Sequence, residues 1–255
     1  MPELPEVETT KRKLEPLLIG KRILNLEQRK ILKLERRGKV ILIYLSGNRI
    51  LGFHQRMSGK LLVVPHDFID KHIRFRFRLS SGKDLIFHDV RKFGVRWYGP
   101  TGKVLKDRYL SKLGPDPLKI DFKQFGKRLK AHQGMIKPLL LRQDVFAGIG
   151  NIVANEVLWK AKIHPRRKIE KSRESEIKNL YVALRFILKK SIRLGGTTMR
   201  DWLHPDRSEG RYYKKRFVYQ RVGEKCKRCG GIIKRIKVGS RGTFICEKCQ
   251  RLYRR

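Results

Sequence analysis

All four cysteines of the chain fall between positions 226 and 249, as Cys226-x-x-Cys229 and Cys246-x-x-Cys249 with 16 residues between the pairs. Two such knuckles suit one tetrahedral Zn2+ held by four thiolates, and Gly230, Gly231, Gly239 and Gly242 supply the turns of a hairpin between them. A metal whose four positions are all filled by protein has none left to activate water. One structural Zn2+ is therefore expected, ligated by Cys226, Cys229, Cys246 and Cys249, to fold a small module. Cysteines confined to one module leave no disulfide framework for the rest of the chain and point to a reducing compartment. The remaining residues must hold themselves together by apolar burial, and 255 residues suffice for two domains and an appendage.

Charge narrows the partners. The chain carries 63 Lys and Arg against 23 Asp and Glu, a formal net charge of +40 that repels itself unless a polyanion supplies counter-charge. Nucleic acid is the leading partner. Charge alone would equally fit a generally solvated basic surface, a ribosomal protein or a membrane-surface protein. No apolar run approaches the roughly 18 to 20 residues that span a bilayer, and Glu3, Glu6 and Glu8 stand where a signal peptide would be basic and then apolar. The expectation is a soluble, cytoplasmic protein.

Periodicity predicts an α+β fold. Residues 3–19 read as one amphipathic helix with Leu4, Val7, Leu14, Leu17 and Leu18 buried, Gly20 ending it and an exposed start. Strand signals follow at Val40 to Leu45, Arg49 to Phe53, Lys60 to Val64, Ile73 to Leu79 and Leu85 to His88, spaced as in a β-sandwich. Beyond Gly114, Pro115 and Pro117 the spacing turns helical over Asp121 to Ala131, Asn151 to Ile163 and Ser172 to Leu194. Residues 204–216 lack apolar periodicity and predict a mobile basic loop. The division expected is 1–115 for the sandwich with its leading helix, 116–216 for the helical domain and 217–255 for the zinc ribbon.

Several short segments could carry chemistry, and each also has a plain structural explanation. Pro2 and Glu3 suit a helix start, where proline is tolerated and a carboxylate meets the dipole. Once Met1 is removed, however, Pro2 becomes a secondary amine able to attack an electrophilic sugar carbon. Lys39 and Arg241 could be solvated charges, Met57 and Phe93 sandwich core, and Gly148-Ile149-Gly150-Asn151 a turn in which Asn151 caps a helix.

The start Met-Pro-Glu-Leu-Pro-Glu-Val-Glu resembles that of the formamidopyrimidine-DNA glycosylases, and the resemblance continues at intervals through the cysteine module. It implies a sandwich, a helix-two-turn-helix domain and a zinc ribbon. It also implies that Pro2 attacks C1′ of a damaged nucleotide while Glu3 shuttles protons at the sugar, with Lys39 of Arg36-Arg37-Gly38-Lys39 contacting the lesion or its phosphate. His54-Gln55-Arg56-Met57-Ser58-Gly59 and Asp89-Val90-Arg91-Lys92-Phe93-Gly94 resemble the family's two gap-filling loops. Met57 and Phe93 would then wedge between base pairs and Arg91 reach the orphaned base. Lys137 and Asn151 are implied phosphate contacts, and Arg241 of Ser240-Arg241-Gly242-Thr243 would clasp phosphates around the lesion and serve the last elimination step.

Two departures stand out: Asp70 occupies a position often filled by histidine ahead of His72, and 201–216 is unusually charged. The expected activity is removal of oxidised purines, 8-oxoguanine and formamidopyrimidines, from double-stranded DNA, with β,δ-elimination at the abasic site. The alternatives are an oxidised-pyrimidine glycosylase of the sister branch and a catalytically inactive zinc-ribbon protein binding damaged DNA or RNA.

Overall fold

The computed structural model describes residues 1–198 and 202–252, arranged as two compact units: Met1–Lys112 with Ser191–Tyr213, and Leu113–Lys190 with Lys214–Arg255.

In the first unit, helix α1 (Leu4–Leu18) buries Leu4, Val7, Leu14 and Leu18 but leaves Leu17 partly exposed. Its Glu8 carboxylate bonds Arg12 one turn on at 2.8 Å and Arg36 at 2.9 Å, which ties the helix to the first long strand. Eight strands follow: β1 (Arg22–Ile23), β2 (Arg29–Arg37), β3 (Val40–Leu45), β4 (Arg49–His54), β5 (Lys60–Pro65), β6 (Ile73–Arg78), β7 (Lys83–His88) and β8 (Val95–Pro100). They form an antiparallel sheet in the order β1-β2-β3-β4-β8 and a second in the order β5-β7-β6. The expected sandwich is present, with more strands than periodicity listed. In β2 only Ile31 and Leu34 are buried among charged neighbours, so its pairing with β3 rather than its own pattern makes it a strand.

Phe53 of β4 meets Phe87 and Phe77 of the other sheet at ring-centroid distances of 5.3 and 5.9 Å, and the core continues through Ile41, Leu51, Leu61 and Leu85. Burying one such ring stabilises by about 1.5–3 kcal/mol. Helix α2 (Thr101–Leu105) closes this part of the chain.

Residues Ser191–Tyr213 group with the sandwich, whereas a division at 116–216 would place them with the helices. Specific bonds hold them there: Thr197 N–H to Glu6 at 2.7 Å, the Trp202 indole to Gln55 at 3.3 Å, and Lys13 to Asp206 at 2.7 Å. The stretch expected to be a mobile loop is therefore packed over much of its length. His204 N–H closes a turn on the Ser208 carbonyl at 3.0 Å, and Tyr212 begins a short helix α3 (Tyr212–Lys215) as a buried residue. Asp201, also part of that charged stretch, lies outside the described residues, as do 253–255.

The second unit contains helices α4 (Phe122–Lys130), α5 (Ile136–Leu141), α6 (Asn151–Lys160) and α7 (Glu174–Arg193), the last of which runs on beyond the unit. Asp121 and Gln124 begin α4 with reciprocal bonds of 2.7 and 3.4 Å, a capping box readable from their spacing. Strands β9 (Ile233–Val238) and β10 (Arg241–Cys246) make the expected cysteine hairpin. Among the described residues no helix is long and apolar enough to cross a membrane.

Candidate active site and nucleic-acid grip

Pro2 precedes the helix rather than starting it. Glu3 is the N-cap and Pro5 takes the favoured first-turn proline position, so the ordinary explanation of Pro2 does not apply to it. The expected exposed start is also corrected: with Met1 attached, Pro2, Glu3 and Leu4 are all buried. Glu6 ties this start down: its Oε2 accepts the Glu3 N–H at 2.8 Å while Oε1 accepts the Thr197 N–H at 2.7 Å. Gly196, at φ +74°, makes this approach possible, since a Cβ there would lie 2.9 Å from the same carboxyl oxygen.

Glu6 is 3 % exposed, and burial, reinforced by the negative charge of Glu3, pushes its carboxyl up to about 7. In the Met1-bearing chain the folded state thus holds a proton between about pH 4.5 and 7 that the unfolded state has released. This stabilising contribution is full below the unfolded value and is lost as pH rises through the folded one. Urea unfolding across that window should show stability falling by up to about 1.4 kcal/mol per pH unit from this group. Glu6→Gln, always neutral, should flatten the slope; an unchanged slope would contradict the assignment. Sequence reading passed over Glu6, although its spacing from Glu3 was the signal for a reciprocal cap.

Lys39 is 5 % exposed, so it is not a solvated charge at a strand end. It follows Gly38, whose φ of +58° makes the β2–β3 turn. Its charge acts on His54, which burial first, then Arg56 and Lys39, push down to about 3, leaving the imidazole neutral to accept the Arg56 N–H at 3.0 Å.

Met57 and Phe93 are 47 % and 51 % exposed, which rules them out as sandwich core, and the Arg91 guanidinium lies 4.9 Å from the Phe93 ring. The two loops share one foundation. Buried Asp89 accepts the Ser58 hydroxyl at 2.5 Å, the Gly94 N–H at 2.7 Å and the Arg91 N–H at 3.3 Å. Gly59 and Gly94 press against the same Phe87 ring, where added Cβ atoms would stand 2.7 and 2.3 Å from Cζ. One buried carboxylate and one aromatic floor therefore set both exposed tips. Asp70 instead serves local structure: its carboxylate accepts the His72 N–H at 2.7 Å, which holds it below its ordinary value, and lies 3.3 Å from His88 Nε2.

The other implied residues belong to the second unit. Lys137 is fully buried, with Nζ donating to the Gly242 carbonyl at 3.1 Å and to Thr243 Oγ1 at 2.7 Å. Asn151 is not the expected cap. Gly150 occupies that position, and Asn151 Nδ2 donates to the same Gly242 carbonyl at 3.2 Å. Further along α6, Asn155 accepts the Phe244 N–H at 2.7 Å and buried Glu156 accepts the N–H groups of Phe217, Val218 and Tyr219 at 2.8 to 2.9 Å. One helix thus fastens both the hairpin and the chain leading into it, with Arg241 exposed at the start of β10.

The ligand atoms of Cys226, Cys229, Cys246 and Cys249 all lie within 4.8 Å of one another, the separation expected of four thiolates around one Zn2+ at about 2.3 Å. The Trp159 indole donates to Cys226 Sγ at 3.3 Å, and Trp159, Val218, Ile233 and Phe244 shield the group. The donor set fits a closed structural zinc site.

Three family models match: the formamidopyrimidine-DNA glycosylase N-terminal domain over residues 24–96, its H2TH domain over 113–202, and the zinc finger found in FPG and IleRS over 223–252. The formamidopyrimidine-DNA glycosylase of Ligilactobacillus salivarius is 39 % identical over 272 residues, which cover 98 % of this chain and 99 % of the relative. Among solved structures, the MutM (Fpg) protein of Thermus thermophilus matches with a TM-score of 0.89 and 37 % identity over 98 % of each chain. A variant Fpg of Lactococcus lactis in complex with Fapy-dG-containing DNA matches with a TM-score of 0.90 and 36 % identity over 98 % of this chain and 100 % of that one. With an N-terminus, paired loops and cysteine module laid out as described and relatives matching from end to end, the chain belongs to the formamidopyrimidine-DNA glycosylase family.

Proposed function

We propose that this protein excises oxidised purines, formamidopyrimidines and 8-oxoguanine, from double-stranded DNA and then nicks the strand at the abasic site. The observation that carries the reading is the first unit's combination of a proline placed just ahead of a helix, beside two buried carboxyl groups, with exposed Met57 and Phe93 on a shared rigid base. Family membership and a relative seen with Fapy-dG DNA support the same reading.

In the proposed sequence, Met1 is absent and the Pro2 nitrogen attacks C1′ as the glycosidic bond breaks, its electron pair leaving with the base, which takes up a proton. Loss of the Pro2 N–H proton and opening of the sugar's C1′–O4′ bond, with a proton delivered to O4′, then give an iminium, which allows loss of a C2′ proton with rupture of the C3′–O bond and then elimination at the C5′ side. Glu3 shuttles protons at the sugar, and Glu6 holds the Glu3 backbone in place. Lys39 contacts the lesion or its phosphate. Met57 and Phe93 fill the gap left by extrusion, and Arg91 bonds the orphaned base. Asn151 and Arg241 grip phosphates without reading sequence, with Arg241 serving the last elimination, while Lys137, implied as a third phosphate contact, is fully buried and instead holds the hairpin through Gly242 and Thr243. Zn2+, bound by the four cysteines, supplies the fold of the hairpin that carries Arg241. The protein acts as a monomer on chromosomal DNA in the cytoplasm, retained at the nucleoid by its +40 charge.

A panel of lesion duplexes under single-turnover conditions tests the substrate class. Excision of 8-oxoguanine should exceed that of thymine glycol by at least about tenfold, the scale of one lost contact in a pocket. The reverse order would place the activity in the oxidised-pyrimidine branch.

A further inference from the structure

The turn that carries Met57 is tied to the Ser191–Tyr213 segment by a side-chain bond, from Trp202 to Gln55, that the chemistry above does not use. Gln55 lies two residues before Met57, yet its side chain is 1 % exposed where Met57 is 47 % exposed. Its carbonyl accepts the Gly59 N–H at 3.0 Å and would lie 2.6 Å from a Cβ on Gly59, so the turn is closed tightly around it, with Arg56 in the left-handed region at φ +51°. Gln55 Oε1 accepts the Trp202 indole N–H at 3.3 Å in a buried setting. Trp202 stands edge-on to His204 with ring centroids 4.8 Å apart, and His204 packs against Gly195, two residues before the Thr197 that bonds Glu6. A continuous path of contacts therefore runs from an exposed wedge to the helix start bearing Pro2.

The seam is not built for stability alone. Among the described residues, Gln55 Nε2, Thr197 Oγ1 and His204 Nδ1 are buried polar atoms without hydrogen-bond partners, and all three lie along this path. Unsatisfied buried groups cost free energy and concentrate where a structure is held ready to rearrange. Within such a seam the indole–amide bond supplies direction that packing alone lacks.

We propose that Trp202 and Gln55 are positioning residues for base extrusion, coupling the turn that carries Met57 to the segment that Glu6 ties to the catalytic N-terminus. The inference rests on the glycosylase reading. Inserting Met57 into a base stack loads its turn, and the Gln55–Trp202 bond passes that load to the segment beside the reacting sugar rather than letting the turn yield.

A double-mutant cycle tests it, using Trp202→Phe, which keeps the ring and removes the donor, and Gln55→Met, which keeps the bulk and removes the acceptor. Extrusion is followed by 2-aminopurine fluorescence beside 8-oxoguanine, and nicking is measured separately on a preformed abasic site, where no base must unstack. Each single variant should slow extrusion about three- to tenfold, the range for one buried hydrogen bond, with less than about twofold change in abasic nicking. The double variant should be no slower than the slower single. Additive losses, extrusion at the parent rate in both singles, or equal losses on both substrates together with a lowered melting temperature would each overturn the coupling. Failure of the glycosylase reading shows differently, as a parent protein that excises no 8-oxoguanine.

Discussion

A chain that retains Met1, or carries an uncleavable extension before Pro2, is expected to lose base excision by on the order of 10³-fold or more, the scale seen when a nucleophile is removed from a cooperating set. The reason is electronic. With Met1 attached, the Pro2 nitrogen is an amide whose lone pair is delocalised into a carbonyl and cannot attack C1′. Removal of Met1 yields a secondary amine whose ordinary range, near that of an α-amino group, leaves a useful unprotonated fraction at neutral pH. It also opens the buried helix start, since Met1 is itself about half exposed while Pro2 behind it is covered. Single-turnover excision by two preparations, sorted by intact mass into processed and unprocessed chains, measures the difference. DNA affinity should change little, because the proposed phosphate-gripping residues belong to the other unit. Equal excision by both preparations would remove Pro2 from the mechanism.

The second large effect concerns the metal. Structural Zn2+ contributes about 10–16 kcal/mol to modules of this type, more than a short hairpin and the Trp159 cluster can replace. Replacing Cys246 with Ser should abolish stoichiometric zinc binding, measured as release of one metal per parent chain to a chromophoric chelator. It should also weaken binding to any duplex by at least about a hundredfold, near 2.7 kcal/mol, because the grip is made through the hairpin. Lys137 and Asn151 both hold the Gly242 carbonyl, and Asn155 holds the Phe244 N–H. When β10 loses its place, Lys137 is left with a buried ammonium short of its acceptors and Arg241 with no defined direction. A Cys246→Ser chain that bound duplex DNA as the parent does would show that the hairpin is not part of the grip.

Much of this architecture is legible in the residues because the relevant signals are local. Two Cys-x-x-Cys pairs define their site by spacing, and the apolar runs within β3 and β7 announce strands without help from partners. The Asp121–Gln124 cap and the Gly38 turn before Lys39 are equally short-range. What escaped reading depends on contacts between distant residues. The strand β2 alternates too weakly through Arg29-Lys30-Ile31-Leu32-Lys33-Leu34 to declare itself, and only pairing with β3 makes it regular. The attachment of Ser191–Tyr213 to the sandwich rests on side-chain bonds across more than a hundred positions, among them those of Lys13, Glu6 and Gln55, and basic composition suggested mobility instead. Asn151 looked like a cap because Gly-x-Gly-Asn ahead of a helix fits one; the nearby Gly242 carbonyl took its amide, and backbone geometry made Gly150 the cap. Glu6 shows the subtler limit. Its spacing from Glu3 was visible, but its second bond, to Thr197, and the burial that raises its carboxyl could be learned only from the folded chain.

The central claim is that the Pro2 nitrogen forms a covalent iminium with the sugar of the excised base. Borohydride reduction during turnover on an 8-oxoguanine duplex, followed by proteolysis and mass mapping of the cross-link, tests it most directly. The account predicts one DNA adduct per active chain, located on the peptide beginning at Pro2 and lost in Met1-bearing protein. An adduct on a lysine peptide such as that containing Lys39, or no adduct while excision proceeds, would contradict it.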